Sequence, residues 1–152
     1  PGFAHRASDA RHESSDDEVR FSLELASAYP EEAKIASWRR AISFRRGESV
    51  TVTDEYALSA DAAELVVSFL TPCAVDTAQP GVVQLAKRPT APGLESAAGR
   101  VAYDAEKFAV SVETVETTDE RLAPIWGDHI TRVVFTAMSP AKTGRLTYTI
   151  RR

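Results

Sequence analysis

Apolar residues in this chain recur at every second position, the period of strands with one buried and one wet face. Val19, Phe21, Leu23 and Leu25 alternate with Glu18, Arg20, Ser22 and Glu24. Trp38, Ile42 and Phe44 share one parity, and Val50, Val52, Tyr56 and Leu58 form a second aligned set with Asp54 among them. Leu65, Val67 and Phe69 continue the pattern, and the neighbouring Val66 and Leu70 predict a strand covered on both sides. Further strands are predicted at Val82–Leu85, Val101–Tyr103, Phe108–Val112, Ile130–Phe135 and Leu146–Ile150. The spacing predicts an all-β fold, an antiparallel β-sandwich of roughly nine or ten strands.

Helix is scarce. Pro30 followed by Glu31 and Glu32 predicts one short helical turn, because proline suits a first helical position and acids suit the positive end of the helix dipole. A second turn is expected over Asp119–Leu122, stopped by Pro124. Ala7–Asp17 is polar without an apolar period, and Ala86–Gly99 is interrupted by Pro89, Pro92, Gly93 and Gly99; both read as loops. Strands of like character flank them, so residues 1–152 are expected to form a single domain.

With 152 residues, 43% hydrophobic and 26% charged, the chain can bury a core without disulfides, which its single Cys73 excludes. No apolar run is long enough to span a bilayer as a helix, and no membrane partner is expected. A formal charge of −4 disfavours nucleic acid, since a negative field repels phosphate at long range. The arginine pairs Arg39-Arg40, Arg45-Arg46 and Arg151-Arg152 read first as solvated faces, with the capacity to hold an acidic sugar at short range.

Signals for catalysis are mostly negative. His5, His12 and His129 fall in no helical i, i+4 pair and beside no cysteine cluster, so no metal site is expected. Cys73 has no adjacent activating group and reads as structural. Asp16-Asp17, Glu31-Glu32 and Asp54-Glu55 are adjacent pairs, and neighbours on a strand point to opposite faces, so they cannot face one another across a substrate. Asp54 differs from the rest because it stands in phase with Val50 and Val52. A carboxylate there requires a partner, and Arg39 or Arg40 on the preceding strand is expected to supply it as a structural ion pair.

Trp38-Arg39-Arg40, the turn at Arg46-Gly47 and the strand ending Asp54-Glu55-Tyr56 resemble the late β-sheet region of heparinase II/III-like polysaccharide lyases. Phe3-Ala4 with Arg6 and Asp9, then Phe21–Ala26 running into Ala28-Tyr29-Pro30, is similar to the strand and corner that precede it there. Leu122 with Trp126-Gly127 and Arg132–Phe135 resembles the closing strands. The resemblance implies a C-terminal β portion of a larger protein, an α/α toroid joined to β-sheets, that cleaves uronate-containing polysaccharides by β-elimination; Pro1-Gly2-Phe3-Ala4 reads as an interior cut.

In that family the helical half and earlier strands supply tyrosine, asparagine or histidine and, in some members, metal ligands. No catalytic residue is therefore carried onto this chain, which is expected to be a non-catalytic platform with no cofactor of its own, a divalent metal belonging to the parent protein if anywhere. The implied partners are the missing helical domain and, through the parent, an acidic polysaccharide; the implied location is extracellular or periplasmic. Exposed sheet edges are expected to favour self-association. The alternative is a stand-alone carbohydrate-binding sandwich, with Trp38 or Trp126 stacked on a sugar ring and Arg39 paired with a uronate.

Overall fold

The computed structural model describes residues 5–91 and 93–152. Phe3, Ala4 and Pro92, used in the sequence reading, lie outside the described residues. These form two compact units, the chain up to Glu64 together with Ser139–Arg151, and Leu65–Met138. Strand accounts for 56% and helix for 7%, so the fold is all-β and antiparallel, of sandwich type. Of thirteen strands among the described residues, ten have four residues or more, and alternation made nine of these visible, all but Ser8–Ser14.

The first unit is a five-stranded antiparallel sheet in the order β1 (Ser8–Ser14), β2 (Glu18–Glu24), β3 (Ile35–Arg45), β4 (Ser49–Leu58) and β13 (Thr143–Arg151). The registers carry one parity of side chains from β2 through β3 and β4 to β13. Leu23, Arg40, Asp54 and Leu146 lie in one row, and Trp38, Tyr56 and Gly144 in the next. Trp38, Asp54, Tyr56, Leu146 and Tyr148 are buried on this face. Each large apolar side chain so buried stabilises the sheet by about 1.5–3 kcal/mol. Trp38 and Tyr56 stack with ring centroids 5.4 Å apart.

Glu24 secures the corner leading into β3. Its carboxylate accepts from the backbone N–H of Ala26 at 3.0 Å and of Trp38 at 2.6 Å, fixing a 3-10 turn over Ala26–Ala28. The expected turn after Pro30 is a 3-10 turn at Glu31–Ala33.

The polar segment read as a loop at Ala7–Asp17 is instead β1. All its side chains are exposed, so it has no buried face to mark, and backbone pairing to β2 holds it. Its register shifts between Ser8 and Arg11, where Asp9 adopts φ +47.

The second unit contains two three-stranded sheets. One has the order β6 (Val75–Asp76), β7 (Val82–Leu85), β10 (Gly99–Ala102), and the other β11 (Phe108–Glu116), β12 (His129–Ala137), β5 (Val66–Thr71). Phe135 is wholly buried and meets Phe69, Tyr103 and Phe108 edge-on at 5.4, 5.2 and 6.0 Å between centroids. The first and third come from its own sheet and its approach, while Tyr103 follows β10, so one ring joins the two layers.

Leu70 corrects the expectation of a doubly covered β5. It is 61% exposed, opposite Arg132 on the wet face. The loop expected over Ala86–Gly99 contains a small hairpin, β8 (Pro89–Ala91) and β9 (Leu94–Glu95), turning at Gly93 with φ +77. Its strands are too short to show a period. Pro124 does not stop a turn but lies in the first turn of α1 (Ala123–Trp126), where its missing N–H has no helical partner to lose.

Candidate functional site

The opposite parity of the five-stranded sheet is polar and concave, forming a groove of about 530 Å³. Small side chains make its floor: Ser22, Ala41, Ser43, Thr51 and Thr53. Arg11, Arg20, Arg39 and Arg145 stand on its walls with Glu13 and Glu55.

The bulge in β1 determines how the arginines are held. Asp9, turned into left-handed backbone, accepts from Arg11 Nε at 2.8 Å and from Arg39 Nη1 at 2.8 Å. Aspartate tolerates this conformation better than most residues, and a bulge re-aims the side chain it carries. Two guanidiniums on one carboxylate hold Asp9 below the ordinary carboxylate range, Arg39 contributing most and Arg11 next. Arg39 Nη2 also donates to Ser22 Oγ at 3.1 Å. Arg145 and Glu55 form a looser pair at 3.7 Å. Across the floor, Glu18 accepts from Ser43 and from Arg20 Nε, and its pKa is lowered, chiefly by the Ser43 hydroxyl.

Arg40 behaves differently from its neighbour because strand parity sends it to the buried face. Its Nε and Nη2 donate to Asp54 Oδ1 and Oδ2, both at 2.8 Å. The expected structural ion pair is therefore present, with Arg40 as the partner and Arg39 excluded by parity. The carboxylate beside it raises the Arg40 pKa. Burial pushes up the phenols of Tyr56 and Tyr148, with the Asp54 charge adding to the effect at Tyr148.

The three candidate ligand-binding residues are placed differently. Trp38 is buried against Tyr56, and its indole N–H has no hydrogen-bond partner among the described residues. Arg39 lines the groove. Trp126 belongs to the second unit and is 41% exposed; Arg88 donates to the carbonyls of Ile125 and Trp126 at 3.2 and 3.5 Å. Arg11, Arg20 and Arg145 were not singled out by sequence. The polar parity of β2 through β4 was a signal for the groove floor, whereas Arg11 lay in a segment with no readable period.

Among the described residues no three His, Cys, Asp and Glu side chains converge to hold a metal ion.

No protein-family model matches this sequence, and no curated protein matches it. Solved structures do. A mutant of heparan sulfate lyase HepC from Pedobacter heparinus superposes with a TM-score of 0.70 and HepC from the same organism with 0.67, each at 13% identity. Both matches cover 96% of this chain and 21% of the other, so the chain spans about a fifth of the length of the structures it matches. The resemblance to heparinase II/III-like polysaccharide lyases thus holds at the level of fold: almost the whole of this chain is folded as a part of heparan sulfate lyase HepC is folded.

Proposed function

We propose that the chain is the C-terminal β portion of a heparinase II/III-like lyase and serves as a non-catalytic platform for the glycan-cleaving parts of the parent protein. In the β-elimination this implies, a base removes the proton at C5 of the uronate. The electron pair forms the C4–C5 double bond, the C4–O bond breaks, and an acid protonates the departing oxygen. The observation that carries the reading is the match over 96% of this chain to about a fifth of a heparan sulfate lyase. The tyrosines support the platform role, since burial keeps Tyr56 and Tyr148 in the phenol form, the reverse of what a base requires.

The test is absorbance of the unsaturated uronate product, measured with this chain and with a longer protein containing it, against heparan sulfate, heparin and alginate oligomers. Product from the longer protein alone is expected. Product from this chain alone, or from neither, overturns the reading.

A second reading, a carbohydrate-binding module, is favoured by the exposure of Trp126. An exposed tryptophan face suits stacking on a sugar ring.

A further inference from the structure

We infer that the outer edge of β11 is a docking site for a second copy of this chain, the two β11 strands pairing antiparallel about a two-fold axis at Val112. The inference goes beyond the platform reading and does not depend on it.

Backbone geometry carries it first. Met138 N–H donates to Lys107 O and Thr117 N–H to Asp128 O, both at 2.8 Å, and the register between them is unbroken. Odd-numbered backbone groups of β11 therefore face β12, and even-numbered ones point away from it. β11 ends its sheet, so the N–H and C=O groups of Val110, Val112, Thr114 and Glu116 have no partner among the described residues.

The residues along that edge identify the occupant. An edge that stays single is ordinarily blocked by a bulge, a proline or a lysine. The outer strand of the first unit, β1, is guarded in this way, with Asp9 at φ +47 in its bulge and Arg11, His12 and Glu13 following. β11 has a continuous register and neither proline nor lysine, and its Val112 and Val115 are exposed. Its charges fit a copy of itself. With Val112 opposite Val112, Ala109 meets Val115, Val110 meets Thr114, Ser111 meets Glu113 and Phe108 meets Glu116, so no glutamate faces another. Glu113 is already balanced by Arg132 of its own sheet at 3.3 Å. This register pairs the whole strand, whereas an axis at Val110 or Thr114 shortens the overlap. β5, the other edge of the same sheet, is shorter and runs into Pro72, which favours a closed two-fold pair over head-to-tail growth.

Sedimentation velocity of the intact chain over a wide concentration range tests this. Exchange between monomer and dimer is expected, with no larger species. Val112→Pro removes an N–H that points away from β12, so the sheet keeps its own bonds while the pair loses two at its axis. Dimerisation should weaken about tenfold or more, with circular dichroism checking that the variant folds. Cross-linking reads the register without that variant, and decides alone if it unfolds. In a Cys73→Ser background, Val112→Cys sets two thiols on the axis with Cα atoms roughly 5.5 Å apart, within disulfide reach. Thr114→Cys sets them roughly 14 Å apart. Oxidation is expected to link the first and spare the second. A chain that is monomeric at every concentration, open-ended assemblies, a dimer unmoved by a folded Val112→Pro variant, or equal cross-linking at the two positions overturns the inference.

Discussion

Tyr56 and Gly144 face one another across β4 and β13, and the tyrosine occupies the space that a side chain at Gly144 would need. A Cβ built there would lie 2.6 Å from Tyr56 Oη and 2.7 Å from two ring carbons. The ring cannot easily retreat, because Trp38 stacks on it.

Gly144→Ala is therefore expected to destabilise the chain by about 1–3 kcal/mol, the range for overpacking. An ordinary glycine-to-alanine change in extended backbone has the opposite sign, since it restricts the unfolded chain. Urea unfolding should show the penalty disappearing when Tyr56→Ala is added; a penalty that persists would locate the strain elsewhere.

Arg40 and Asp54 are unequal partners. Asp54 is completely buried, while the Arg40 side chain is 32% exposed. Removing the arginine leaves a carboxylate with no water and no cation, so Arg40→Met is expected to cost about 3–5 kcal/mol. Asp54→Asn leaves a guanidinium that reaches solvent and an amide that still bonds it, at about 1–3 kcal/mol. Chemical denaturation checks the order, and equal or reversed losses would contradict it.

Asp9 and Glu18 set the acid response of the groove. Both carboxyls are lowered in the folded state from ordinary values of 3.8 and 4.5. A depressed folded pKa contributes stability that is present above the unfolded value and lost as pH falls through the folded one. Unfolding midpoints should thus decline below about pH 4.5. Asp9→Asn should flatten part of that slope, and added salt should weaken the effect because Asp9 is exposed and Glu18 is half-buried. A slope unchanged in the variant would remove Asp9 from the account.

The outer strand β11 is expected to drive weak self-association. Nine residues long, it presents an unpaired edge with Val112 and Val115 substantially exposed. Val115→Lys should reduce concentration-dependent sedimentation while changing stability by no more than about 0.5 kcal/mol. A chain that is monomeric at every concentration would end the proposal.

Alternation made legible those strands whose two faces differ in environment, and Asp54 was found because it broke the rule at a buried parity. The same rule was blind to β1, where both faces are wet, and to β8 and β9, where three residues or fewer cannot establish a period. Trp38 read as a candidate sugar platform because a tryptophan's sequence neighbours do not reveal its cover; the stacked Tyr56 and the row it shares with Gly144 do. The groove arginines come from four different strands, so their convergence depends on pairing registers that no local pattern encodes.

The turn between β3 and β4 has a reach beyond its three residues. Gly47, at φ +74, fixes Arg45 opposite Ser49. A hairpin slipped by one place would exchange Asp54 with Thr53 and send the groove floor into the core. Gly47 therefore acts as the reading frame of the sheet: the left-handed conformation of a single exposed residue decides which surface meets water and which is hidden from it.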